Sequence, residues 1–176
     1  MMKSVHRQIG LAAIIGLAWA GAANAAELPT RKPGLWEMKM LPSGQMPGMT
    51  MQHCTDEATD KRMTAAFAPM AKDICSKNET QKTATGYVTD SVCTVGGISS
   101  TTRADVTGDF NSAYMVKTTM QMQNAPKGTP RDSTMSVEAK WLGACPATMK
   151  PGDIMMPGGI KMNVSDMEKA KAFLPK

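Results

Sequence analysis

The residues able to do chemistry in this chain are rich in sulfur and poor in imidazole. Met46-Pro47-Gly48-Met49-Thr50-Met51-Gln52-His53 places three thioethers and a histidine within eight residues. Alternate residues of an extended strand share a face, so Met49, Met51 and His53 would project together. Two or three thioethers with one imidazole make a soft donor set suited to Cu(I). Met46, Met49, Met51 and His53 are therefore the candidate metal ligands, and the Pro/Gly stretch at 46–49 gives a loop able to close over an ion. Trp36, Met38 and Met40 alternate in the same way and could lie on a neighbouring strand. A competing reading makes these methionines core and loop filler, because methionine adapts to gaps where aromatic residues are few. A third makes exposed methionines a repairable sink for oxidants.

Other catalytic vocabularies are thin. His53 is the one histidine beyond residue 25, and no G-x-S-x-G accompanies it, which argues against a Ser-His-Asp hydrolase. A hydrolytic zinc site needs two or three histidines, and there is no P-loop and no G-x-G-x-x-G. No catalytic residue is assigned, and the chain reads as a non-enzyme. The four cysteines, Cys54, Cys75, Cys93 and Cys145, include no C-x-x-C, so a thioredoxin-type site or a zinc ribbon is not indicated.

The elements that must position these residues follow from periodicity. A strand is expected over 31–41, with Trp36, Met38 and Met40 on one face and Glu37 and Lys39 on the other. A second short strand follows over 49–54. Thr55 is the expected helix N-cap, with acidic Asp56, Glu57 and Asp60 after it. Met63, Ala66, Phe67 and Met70 then recur at helical spacing, and Pro69 suggests an end nearby. From Cys75 to Leu142 the period becomes two. Turns are expected at Thr85-Gly86, Gly96-Gly97 and Gly108-Asp109, with a long strand from Phe110 to Met122 and a last one carrying Met135, Val137, Ala139 and Trp141. Residues 145–159 read as a loop laid across the body, and Ser165-Asp166-Met167-Glu168 as a capping box opening a short helix. The expected fold is a β-rich α+β domain: an antiparallel meander of about six to eight strands, curved or barrel-like, with one packed helix and a short C-terminal helix.

The chain has 176 residues, 20 Lys+Arg and 15 Asp+Glu, which fits one domain. Residues 1–25 read as a cleavable signal peptide: basic Lys3 and Arg7, an apolar run from Ile9 to Ala20, then Ala23-Asn24-Ala25. The run is about a dozen residues, short of the roughly 20 of a transmembrane helix. Cleavage leaves residues 26–176 as a single domain of 151 residues, in which sixteen of the eighteen methionines remain and net charge falls from +5 to +3. That small, scattered charge does not point to nucleic acid. In an oxidising compartment the four cysteines are expected to make two disulfides. Of the three possible pairings the reading favours Cys54–Cys75, stapling the ends of the helical segment, with Cys93–Cys145.

Several segments carry a family resemblance. They are Arg31-Lys32-Pro33-Gly34-Leu35-Trp36-Glu37, Met51-Gln52-His53-Cys54, Asp73-Ile74-Cys75-Ser76, Asp90-Ser91-Val92-Cys93 and Val106-Thr107-Gly108-Asp109-Phe110. Lys140-Trp141-Leu142-Gly143-Ala144-Cys145-Pro146 and Lys150-Pro151-Gly152-Asp153 complete the set. Together they resemble the DUF3617 family of secreted bacterial proteins. The resemblance implies a Gram-negative periplasmic location and a cysteine-stapled β-rich domain, and it supplies no catalytic residues. Gly34-Leu35-Trp36 also resembles the G-x-W that opens lipocalin barrels, which would imply a carrier of a small apolar ligand. The expected role is thus non-enzymatic, a binding or envelope-accessory module whose partner is a small ligand or an envelope protein. Cu(I) binding and a lipocalin-like carrier are the named alternatives.

Overall fold

In the computed structural model the described residues are 26–43 and 47–166, with side chains described except at 66–70. The signal-peptide segment, Met46 and most of the expected C-terminal helix lie outside them. Only the opening of that helix, residues 164–166, is described. The chain runs β1 (Gly34–Pro42), β2 (Met49–Thr55), α1 (Glu57–Ile74), β3 (Cys75–Lys82), β4 (Gly86–Val95), β5 (Ile98–Asp109), β6 (Ala113–Gln123), β7 (Asp132–Gly143), β8 (Asp153–Met155) and β9 (Lys161–Asn163). All nine strands join one sheet in the order β3-β4-β5-β6-β7-β1-β2-β8-β9, and every pairing is antiparallel. This is the expected α+β architecture. The sheet is not closed into a barrel, because β3 and β9 remain as edges.

Alternation builds the sheet as the period of two predicts. Along β6 exposure alternates strictly, with Tyr114, Val116, Thr118, Met120 and Met122 half-buried and their neighbours exposed. Register continues this inner face onto Val106 of β5 and onto Val137 and Ala139 of β7, where Ala139 is buried. The outer face pairs opposite charges: Glu37 lies opposite Lys140 and Lys39 opposite Glu138. Gly96 and Gly97, with φ of 56° and 80°, make the two-residue turn between β4 and β5 that positive φ permits.

Helix α1 starts one residue later than expected. Thr55 ends β2, and Asp56 is the N-cap, its side chain accepting from Thr59 N at 2.7 Å while Thr59 Oγ1 accepts from Asp56 N. Both residues suit a cap; Thr55 is instead held in the β2 ladder opposite Gly34. The helix also runs past Pro69 to Ile74. Its 18 residues span about 27 Å at about 1.5 Å each, close to the six strand spacings of about 4.8 Å that separate β2 from β3. The connection is long because it must cross the sheet.

That length corrects the disulfide pairing. A helix between Cys54 and Cys75 holds them far beyond the ~7 Å limit for a bridge. Cys75 instead lies opposite Cys93 in the β3–β4 register and bonds to it, with a Cα–Cα distance of 3.8 Å. Cys54 bonds to Cys145 at 5.6 Å, tying β2 to the chain just beyond β7.

Two further expectations shift. The β5–β6 turn is at Phe110–Ser112 rather than Gly108-Asp109, because Asp109 caps it: Oδ1 accepts from Asn111 N and Oδ2 from Ser112 Oγ. The segment expected as loop over 145–159 contains β8, and β9 follows just beyond it, which brings the strand count to nine. Gly152 N donates to Cys54 O at 2.8 Å, and buried Asp153 accepts from Asn163 Nδ2 at 2.7 Å and Lys150 N at 3.0 Å. At the other edge Ala26 N donates to Thr80 O of β3 at 2.9 Å, so the segment 26–30 covers part of that exposed strand. No helix among the described residues is long and apolar enough to cross a membrane.

Candidate functional site

The fully buried interior is small. Among the described residues the apolar side chains buried in it are Trp36, Cys54, Val106, Ala139, Met149 and Val164. Around Trp36 the scarce aromatic residues gather. Its ring lies 5.5 Å from Tyr114, which stacks on Phe110 at 4.7 Å, and Tyr87 meets Phe110 edge-on at 6.3 Å. Trp36 Nε1 is satisfied by Lys32 O at 2.9 Å, so this wholly buried indole leaves no unpaired donor.

Beside this cluster sits a buried polar triplet drawn from three elements. Arg31 comes from the segment entering β1, His53 from β2 opposite Trp36, and Asp60 from the first turn of α1. Arg31 grips both oxygens of the carboxylate, its backbone N donating to Oδ2 at 2.8 Å and its Nε to Oδ1 at 2.7 Å. Its Nη2 lies 3.1 Å from His53 Nδ1, and its Nη1 lies 3.8 Å from the Met38 sulfur. A guanidinium only donates, so Nδ1 must accept and the ring proton sits on Nε2. That Nε2 is buried with no hydrogen-bond partner among the described residues. Burial, followed by the Arg31 charge, pushes His53 from its ordinary 6.5 down to about 4, with Asp60 opposing in part. Burial also raises the Tyr114 phenol, against the pull of Arg31.

Arg31 and Asp60 of the triplet form the polar end of a cleft of about 240 Å³ between α1 and the inner sheet face, with His53 behind them, outside its lining. Met38, Val106, Phe110, Tyr114 and Val116 floor it, Met63 and Thr64 of α1 roof it, and Leu28 and Pro29 close one side. Leu28, Pro29, Asp60 and Thr64 also line a second cavity of about 510 Å³, so the segment 26–30 runs as a strap between two openings.

The candidate metal ligands divide. Met49, Met51 and His53 do share one face of β2, and β1 sets Met40 opposite Met49, Met38 opposite Met51 and Trp36 opposite His53. Met38, Met40, Met49 and Met51 are all half-buried. Met46 lies outside the described residues. His53 is turned away from ligand duty by chemistry: Nδ1 is taken by a guanidinium, and freeing Nε2 would move its proton towards that cation. Among the described residues no group of three or more His, Cys, Asp or Glu is placed to hold a metal ion.

Arg31 and Asp60 were not singled out by motif. Asp60 reads in sequence as a helix N-terminal acid, and nothing local pairs it with a residue 29 positions away. His53, at the end of an apolar strand face, is the signal in the sequence for a buried partner.

Comparison with known proteins adds one match. The sequence model of a family described as "Protein of unknown function (DUF3617)" matches residues 31–145, a span that includes the whole triplet and all four cysteines. No curated protein and no solved structure gives a significant match to the chain.

Proposed function

This chain belongs to the DUF3617 family, and from its own geometry we propose that it is a non-enzymatic periplasmic binding module for a small ligand with an apolar body and a polar end. The cleft under α1 carries this reading. It has an apolar floor and roof, with Arg31, Asp60 and the Tyr114 hydroxyl region converging at one end, the arrangement expected of a small-molecule site. His53 is neutral, buried and hydrogen-bonded to Arg31, which supports a positioning role over proton transfer. Two disulfides and a small core suit an oxidising compartment. The Ala26 N to Thr80 O bond is compatible with cleavage after Ala25, since an α-amino group keeps a donor there.

The probe for the cleft is anilinonaphthalene sulfonate, itself an apolar body with a charged end. Saturable one-to-one binding to the folded protein should fall at least tenfold in Val116→Trp, which fills the cleft floor, with near-UV circular dichroism unchanged. Equal binding by the variant would remove the cleft as the site, and absence of saturable binding would remove the ligand reading. Intact mass of protein recovered from the periplasm should begin at Ala26; a mass that includes Met1 would overturn the localisation.

A further inference from the structure

We propose that Met40, Met49 and Met51 form a second site, independent of the cleft, that binds one soft monovalent cation, Cu(I). The β1–β2 register places Met40 directly opposite Met49 and Met51 diagonal to Met40 on the same face. Opposed Cβ atoms across a ladder lie about 4.5–5.5 Å apart, and diagonal neighbours stay within reach of long side chains. A thioether carried on three rotatable bonds can therefore bring its sulfur to a shared ion. All three residues are half-buried, neither sealed from solvent nor fully open to it.

Surrounding charge favours a neutral three-thioether set. Met38 completes the block of four, but its sulfur already faces Arg31 Nη1 at 3.8 Å. The guanidinium is compensated by Asp60, and His53 is uncharged while it accepts from Arg31, so this face presents no net cation to repel an incoming one. Thioether sulfur selects Cu(I) over Zn(II) or Cu(II), which prefer imidazole, thiolate or oxygen donors. All four cysteines are bridged, so no thiolate competes for the metal.

The test is anaerobic competition against bicinchoninate, with ascorbate as reductant to leave the disulfides intact, and native mass spectrometry with Ag(I) as the redox-inert probe. The expected result is one Cu(I) or Ag(I) per chain, with affinity at least tenfold weaker in Met40→Leu/Met49→Leu/Met51→Leu. The variant Met120→Leu/Met122→Leu, which removes two methionines of β6 from the same sheet face but away from Met40, should bind as the parent does. If the triple variant does not fold by circular dichroism, Met49→Leu alone should still weaken binding severalfold. Failure of the parent to bind one ion, or equal loss in both variants, would overturn the site. Binding of anilinonaphthalene sulfonate in the same samples reads the cleft separately, so either site can fail alone.

Discussion

Acidification is the sharpest perturbation the structure offers, because a chain starting at Ala26 carries a single imidazole, His53. In the unfolded chain that ring takes a proton near its ordinary 6.5; in the fold it does so only near 4, chiefly because it is buried. Above 6.5 both states are neutral and pH has no leverage through this group. Between 6.5 and 4 the unfolded state binds one more proton than the native state, so stability falls with falling pH by about 1.4 kcal/mol per unit. Across the whole window the loss comes to about 3 kcal/mol, a sizeable share of the roughly 5–15 kcal/mol that holds a typical domain together. Asp56 and Asp109 do not blur the window. Hydrogen bonds from Thr59 and from Asn111, respectively, hold their carboxyls below the usual range, so their contributions disappear only at lower pH. Urea unfolding at half-unit steps from pH 7.5 to 4 should show the slope, and His53→Gln should flatten it. In parallel, nitrogen-detected NMR of the imidazole should report the Nε2–H tautomer at pH 6. A flat stability profile, or a native-state titration near 6.5, would refute the buried Arg31–His53 pairing.

Other perturbations read different parts of the molecule. The Cys54–Cys145 bridge closes 91 residues and the Cys75–Cys93 bridge 18, so loop entropy assigns them about 4.5 and about 3 kcal/mol. Urea unfolding should therefore find Cys54→Ala/Cys145→Ala less stable than Cys75→Ala/Cys93→Ala, and non-reducing peptide mapping should recover both bridges; the reverse order or other links would contradict the register. Asp60→Asn leaves the Arg31 guanidinium buried without a counter-charge and should cost about 3–5 kcal/mol in the same assay; a loss under 1 kcal/mol would mean the pair is solvated. Trp36→Ala empties the centre of the aromatic cluster and should cost about 3–5 kcal/mol, with loss of near-UV ellipticity as the packing readout. Gly86→Ala should destabilise strongly by thermal melting, because a Cβ there meets the Val106 carbonyl at a φ of +153°; an unchanged melt would show that β4 can shift.

Wherever local pattern decides structure, the sequence was legible. The alternation of β6, the facing methionines of β1 and β2, the Gly96-Gly97 hairpin and the helix after the acidic run all follow from side-chain period and turn chemistry. What escaped depends on distance in space. The cap moved from Thr55 to Asp56 because pairing with β1, not intrinsic preference, claimed Thr55. Strands β8 and β9 have three residues each, too short for periodicity to register; β8 forms because the β2 edge offers it a ladder, and β9 pairs in turn with β8. The disulfide pairing failed at the sequence level because helix rigidity and sheet order, neither visible in cysteine spacing, decide which sulfurs meet. Arg31, His53 and Asp60 converge only once β2 and α1 are both in place, whereas the thioether face was readable from alternation alone.

The nesting of one bridge inside the other bears on how the chain is made. A polypeptide that emerges amino-terminus first presents Cys54 and Cys75 before either native partner is available, and these two do not belong together. At about 5–20 residues per second, Cys93 follows Cys75 by roughly 1–4 s, whereas Cys145 trails Cys54 by 5–20 s or so. An oxidase working in order of appearance would lock the wrong pair and would have to break α1 to do so. Correct maturation therefore calls for either delayed oxidation or thiol–disulfide reshuffling, with helix formation between Cys54 and Cys75 acting as the proofreading step that disfavours the premature link.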